Sequence, residues 1–280
     1  MECSLAAHLR YNELIQTKQN AAASFGTIIH HCFQQYNDSC FNGEGQGNLE
    51  GAVNRFIDLW FNPEKLGVVP EYWPKGTDWG SYRRLGVELL TQFHESQAWQ
   101  KRTVIGTEIP FVVPFGRHEL MGFVDLVDIK RNGRGRDVLR IIDLKSNGKT
   151  PNRAMLGLDA QFTTYMWAVS QVEFWIGNGT PEFPGLPDGA ELWDQCKDLQ
   201  RQGVWFHLRT CKEIGVGPRV GQDFERLYRV VEAIDRATKL EVFVPHIGDA
   251  CFFCDYKEQC PLEIPDALEQ QEEDDLAAYP

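Results

Sequence analysis

Apolar residues in the first third of the chain recur at helical spacing. Ala21, Ala22, Ala23, Phe25, Ile28, Ile29 and Phe33 fall at the intervals that predict an amphipathic helix over 21–36, and Val53, Phe56, Ile57 and Trp60 predict a second. A Gly-, Pro- and Trp-rich stretch over 67–80 interrupts the pattern, and Leu85, Leu89, Leu90 and Phe93 then predict a helix over 81–99. From Thr103 the character changes to three strand-like runs, 104–114, 119–129 and 138–145. The last two are separated by Lys130-Arg131-Asn132-Gly133-Arg134-Gly135-Arg136-Asp137, whose Asn-Gly pair and charge suit an exposed hairpin loop, so the three form an antiparallel meander. A helix over 157–176, an alternating strand over 204–211 and a helix over 224–239 follow. There is no internal repeat. Helices, sheet, helix, strand and helix in that order predict an α/β or α+β layered domain around one central sheet.

Composition adds bounds to this picture. At 280 residues, 42% hydrophobic and 24% charged, the chain is long and apolar enough to fold without disulfide staples. No run approaches the ~18 apolar residues of a membrane span, and the start lacks the basic, apolar and small-residue regions of a secretory signal. A cytoplasmic protein with no membrane partner is therefore expected. The net charge of −12 argues against a protein that coats duplex nucleic acid. Seven of those charges sit in the last twenty residues (Glu263, Asp266, Glu269, Glu272, Glu273, Asp274 and Asp275) with no Lys or Arg among them. That segment reads as a disordered acidic tail with a solvated or partner-binding role.

The densest chemistry lies in Arg140-Ile141-Ile142-Asp143-Leu144-Lys145. Side chains alternate in a strand, so Asp143 and Lys145 project together while Ile142 and Leu144 enter the opposite layer. The preceding strand contains Gly122-Phe123-Val124-Asp125, and a hairpin brings Asp125 toward Asp143. Two converging carboxylates repel unless one takes a proton or a cation lies between them, and a hard divalent ion such as Mg2+ is the natural occupant. Lys145 beside them can orient or deprotonate a water, or stabilise phosphate charge. A lone D-x-K is more often an exposed ion pair, so the surrounding sequence has to carry the assignment.

In order along the chain, Gly26-Thr27-Ile28-Ile29-His30, Glu108 before Pro110, Gly122-x-x-Asp125, Asp143-Leu144-Lys145 and Gln161-x-x-x-Tyr165 resemble the motifs of the RecB-like branch of the PD-(D/E)XK nuclease superfamily. That branch includes CRISPR-associated iron-sulfur exonucleases and the nuclease domains of recombination helicases. The resemblance implies a restriction-endonuclease-like mixed sheet flanked by helices, and metal-dependent hydrolysis of DNA. It implies His30, Asp125 and Asp143 as ligands for Mg2+ or Mn2+, Lys145 as the catalytic lysine with Asp143, Asp125 and Glu108 around it, and DNA contact by Gln161 and Tyr165. Its expected organisation is an N-terminal helical region (1–100) carrying Cys3 and His30, a nuclease core (101–240), a Cys-rich segment (241–262) and the tail (263–280).

Eight cysteines in a reducing compartment point to metal binding rather than disulfides, and Cys251-x2-Cys254-x5-Cys260 is a compact three-thiolate set suited to zinc or an iron-sulfur cluster. The spacing resembles that of the family's iron-sulfur nucleases, which implies a C-terminal 4Fe-4S cluster with Cys3 as the distant fourth ligand. Zn2+ is the alternative metal, and Cys32 and Cys40 are alternative ligands.

Basic side chains cluster at Arg83 and Arg84, Lys101 and Arg102, and Lys149 and Arg153. Most read as solvated surface, but Lys149 and Arg153 follow Lys145 closely enough to reach a phosphate. The expected function is an exonuclease acting on single-stranded DNA or DNA ends in recombination, repair, phage replication or CRISPR-type processing. The competing classes are an accessory DNA-binding subunit that cuts poorly and a scaffold organised by its cluster and tail.

Overall fold

A computed structural model describes residues 3–40, 47–96, 102–146, 150–176, 188–248, 251 and 254–262. The chain falls into two compact units, Asn20–Val231 and a smaller one formed by Met1–Gln19 with Glu232–Pro280.

The larger unit is built on a five-stranded sheet in the order β1-β2-β3-β4-β5. Its strands are β1 (Arg102–Phe115), β2 (His118–Arg131), β3 (Asp137–Lys145), β4 (Gln200–His207) and β5 (Lys212–Val216). The first three form the antiparallel meander read from the sequence. β4 joins β3 in parallel, from Val138 opposite Gln200 to Lys145 opposite His207, and β5 returns antiparallel, so the sheet is mixed. Pro110 and Pro114 are tolerated because β1 is an edge strand, where a missing N–H breaks no ladder on its open side.

Helices cover both faces. On one side α2 (Ala21–Asp38), α3 (Leu49–Phe61) and α4 (Trp79–Glu95) bury Ile29, Phe33, Phe56 and Phe93 against Leu126, Ile142, Leu144 and Phe206. The side chain of Asn20 caps α2 by accepting from Ala22 N at 2.7 Å, and Asp78 and Ser81 close a capping box on α4. Gly86 lets α4 approach α3, since a β-carbon there would stand 2.0 Å from the ring of Phe56. On the other side α6 (Ala160–Ala168), α7 (Val172–Ile176) and α8 (Gly189–Cys196) pack Tyr165, Met166, Phe174 and Leu192 on Ile109, Val127, Leu139 and Ile141. A short α5 (Arg153–Leu156) precedes them, and α9 (Gly221–Lys239) ends the larger unit and enters the smaller.

Several boundaries differ from the periodicity. The helix expected over 157–176 is divided: Asp159 caps α6 by accepting from Phe162 N, and Ser170 and Gln171 separate α6 from α7. The strand expected over 204–211 starts four residues earlier and ends at His207. Beyond it, His207 Nδ1 and Thr210 Oγ1 pair at 2.8 Å and Cys211 takes a left-handed φ of 48°, turning the chain into β5. Among the described residues no helix is long and apolar enough to cross a membrane.

In the smaller unit α1 (Ser4–Tyr11) begins at Cys3, and Ser4 Oγ donates to Val244 O at 2.7 Å. His8 stacks on Phe243 with ring centroids 3.7 Å apart. The last expected segment, 263–280, lies outside the described residues.

Candidate functional site

The site forms near the end of β3, where β2 stops pairing with it. Thr107 pairs with Leu126 and Ile109 with Val124, so Glu108 stands across from Asp125. Glu108 adopts φ 45°, a left-handed conformation that costs a residue with a β-carbon about 1–3 kcal/mol and persists only where the surroundings impose it. Pairing of β2 with β3 runs from Arg131–Asp137 to Leu126–Ile142. At Asp125 the carboxylate takes over, accepting the Leu144 backbone N–H at 2.8 Å.

His30 on α2 reaches this opening. Its Nδ1 lies 3.6 Å from Asp125 Oδ2 and 3.8 Å from Glu108 Oε1. One ligand atom from each of His30, Glu108 and Asp125 lies within 4.8 Å of the others. Burial disfavours the imidazolium, but the neighbouring carboxylates of Glu108 and Asp125 outweigh it and raise the His30 pKa. Burial also raises Asp125, with repulsion from Glu108 in the same direction, against the opposing charge of His30.

Asp143 and Lys145 complete the arrangement on β3. Asp143 is 1% exposed, and burial followed by repulsion from Asp125 pushes its carboxyl up to about 6 against the pull of Lys145. Lys145 Nζ directs its hydrogen bond to Asp143 Oδ1 at 3.0 Å; Oδ2, 2.9 Å away, is buried without a hydrogen-bond partner of its own. His30, Glu108 and Asp125 offer an imidazole nitrogen and two carboxylates within reach of one point, a donor set that fits a divalent cation.

On the other helical layer Gln161 Nε2 donates to Tyr165 Oη at 2.7 Å. Burial, then the negative charges of Asp125 and Asp143, hold the Tyr165 phenol protonated far above its ordinary range. The pair therefore faces the carboxylates as a neutral hydrogen-bonding group. A cleft of about 520 Å³ opens beside the cluster, lined by His30, His31 and Gln34 of α2 with Glu108 and Phe123 of the sheet. Of the two basic candidates, Lys149 lies outside the described residues; Arg153 begins α5, and its side chain is likewise outside them.

The sequence matches the profile of the PD-(D/E)XK nuclease superfamily over residues 1–261, nearly the whole chain. The chain belongs to that superfamily. PD-(D/E)XK nucleases are metal-dependent phosphodiester hydrolases that use Mg2+ or Mn2+, and the fold implies a DNA substrate. No curated protein matches the chain significantly. A solved structure described as the crystal structure of SSO0001 is similar over 94% of each chain at 13% identity with a TM-score of 0.32, a likeness too loose to place residues.

Within this PD-(D/E)XK chain the geometry brings His30, Glu108 and Asp125 together most tightly, and sets Asp143 and Lys145 beside them. The lining residues His31, Gln34 and Phe123 were not singled out by motif; the strand alternation of Phe123 was the available signal for its outward direction.

The cysteine segment belongs to the smaller unit. Cys3 is the N-cap of α1, and its sulfur accepts the His246 backbone N–H at 3.3 Å. Burial works against the thiolate, but backbone N–H groups of His246, Ala6 and Leu5 outweigh it and lower the Cys3 pKa, as ligation requires. Cys251 Sγ donates to the carbonyl of that same His246 at 3.5 Å, so the two cysteines engage the backbone of one residue. The Cys254 N–H donates to Cys251 O, and Cys260 closes a single turn of 3-10 helix. In the larger unit Cys32 is sealed in the core with its thiol pushed up to about 12, and burial raises Cys40 too.

Proposed function

We propose that this chain is a RecB-like, iron-sulfur type deoxyribonuclease, an exonuclease that hydrolyses phosphodiester bonds in single-stranded DNA or at DNA ends. The observation that carries the reading is the convergence of His30, Glu108 and Asp125 within 4.8 Å beside the Asp143–Lys145 pair. In this reading His30, Asp125 and Asp143 hold Mg2+ or Mn2+, with Glu108 close enough to share the task. The chemistry a bound divalent ion supplies is neutralisation of phosphate charge and acidification of water. Lys145, one-third exposed at the end of β3, orients the attacking water and takes or stabilises its proton once Asp143 is engaged elsewhere. Tyr165, held by Gln161, positions the substrate as a neutral donor, and Lys149 and Arg153 contact its phosphates. Cys3, Cys251, Cys254 and Cys260 hold a 4Fe-4S cluster that clasps the two ends of the chain, with the helical region (1–100), core (101–240), Cys-rich segment (241–262) and acidic tail (263–280) as functional divisions. The tail offers a surface to a protein partner, and the setting is cytoplasmic DNA recombination, repair, phage replication or CRISPR-type processing.

The test is cleavage of end-labelled single-stranded and duplex DNA by anaerobically purified protein with Mg2+, Mn2+ or EDTA. Wild type should cut only with metal, and Lys145→Ala should lower the rate by about 100-fold or more while still folding. Absence of cleavage from protein with a full cluster would replace this reading with an accessory DNA-binding subunit.

A further inference from the structure

Three large apolar side chains stand in solvent on one face of the β1–β2 hairpin: Val112 (51% exposed), Met121 (72%) and Phe123 (59%). Val112 pairs with Met121 and Pro110 with Phe123, so the exposed side chains form a continuous apolar strip. The opposite face of the same hairpin is packed: Phe111, Val113 and Val124 are buried, and Phe111 lies over Gly122, where a β-carbon would meet its ring at 3.1 Å. The core therefore accounts for one face and gives no reason for the other. Phe123 makes no ring contact with another aromatic among the described residues, although it lines the cleft that also holds His30 and Glu108. It precedes Asp125 by two residues, about 6.8 Å along a strand.

The geometry points to Phe123 as a stacking platform for an unpaired terminal base of the DNA strand whose phosphate enters the His30–Glu108–Asp125 cluster. This rests on the nuclease reading above and adds the form of substrate the site selects. No Lys or Arg is among the described residues lining the cleft, so no cationic side chain of that lining holds the strand by its phosphates. What the cleft does offer is an accessible aromatic face, and a nucleobase binds such a face through stacking irrespective of sequence. Inside a duplex both faces of a base are occupied by its neighbours. A base with a free face is needed on Phe123, and an unpaired terminal base presents one without the partner strand that a duplex end would bring into the cleft. Met121 and Val112 extend the apolar strip beyond it.

Full-length wild type, Phe123→Ala, Phe123→Leu and Phe123→Trp are compared for binding of a labelled oligothymidylate, with Ca2+ in place of Mg2+. The strand is supplied intact or with the base removed from its 5′ or its 3′ terminal nucleotide. Phe123 is exposed, so all four proteins should fold alike. The Ala and Leu variants should bind the intact strand about tenfold more weakly, while Trp, which keeps a π-face, binds as wild type does. Removing the base at one end should weaken wild type by the same factor and leave Phe123→Ala unchanged. Equal binding by Ala, Leu and wild type, or equal binding of intact and abasic strands, overturns the stacking role. Cleavage of the same strands with Mg2+ separates the two readings. A strand cut in a Lys145-dependent way, with unaltered KM and binding in the Phe123 variants, removes the stacking role alone; the Phe123 pattern without any cleavage removes the nuclease reading and leaves the stacking surface standing.

Discussion

Asp143 is the residue whose chemistry depends most on its surroundings. Its carboxyl is 1% exposed and pushed up to about 6 from an ordinary 3.8, first by burial and then by Asp125, so in the metal-free fold the proton is shared over a pair of carboxylates. A raised folded-state value means that the protonated form stabilises the fold: the contribution is complete below 3.8 and disappears as the pH rises through about 6. Thermal melts of EDTA-treated protein should therefore show wild type losing stability between these limits relative to Asp143→Asn, which carries no charge to desolvate. Adding Mg2+ above pH ~6 should restore wild type and raise the variant's melting temperature less. A difference between the two melting temperatures that stays constant with pH would exclude this account.

At the scale of the element, β3 is buried from Val138 to Leu144, on both faces, and this central strand still carries Arg140 and Asp143. Arg140 is tolerated because Asp128 on β2 accepts from its Nε and Nη2 at 2.7 and 2.6 Å, while Glu213 on β5 accepts from its Nη1 at 2.8 Å. Asp128, itself 0% exposed, also lies 3.3 Å from Arg102 Nη1 on β1. One carboxylate thus ties three strands together, and removing it leaves two nearly buried guanidinium groups without their shared anion. Asp128→Ala should cost about 3–5 kcal/mol in denaturant unfolding, far beyond an exposed pair such as Arg131–Asp137. A loss under ~1 kcal/mol would mean that Glu213 and Asn37 suffice as partners. This lattice fixes the register of β1 to β3, and the register sets Glu108 across from Asp125.

At the scale of the molecule, the smaller unit draws its residues from both ends of the sequence, and its described residues include Cys3, Cys251, Cys254 and Cys260. A cluster ligated there would join segments almost the full chain apart and so restrict the unfolded ensemble. Cys254→Ser should reduce iron and sulfide to background, abolish visible cluster absorption and lower the melting temperature, as should Cys3→Ser. Cys32→Ser should leave iron content intact. Wild type with stoichiometric zinc and no iron would replace the cluster with a structural zinc site.

Periodicity was enough for the long elements: the 3.6-residue period of α2 to α4 and α9 and the alternation of β1 to β3 follow from which side chains must leave water. It also placed His30, Asp125, Asp143 and Lys145 in motifs whose chemistry could be named. It did not disclose α1, α8 or β5, which at 8, 8 and 5 residues are too short for a period to stand out. Tertiary structure alone decided the parallel pairing of β4 with β3, because a partner across more than fifty residues leaves no local pattern. It also decided that Glu108, expected near the catalytic lysine, comes within ligand distance of His30 as well as Asp125. Phe123 shows the division most plainly. Alternation turns it away from the core, but only the meeting of α2 with the β1–β2 hairpin sets its ring at the rim of a cleft lined by His30 and Glu108.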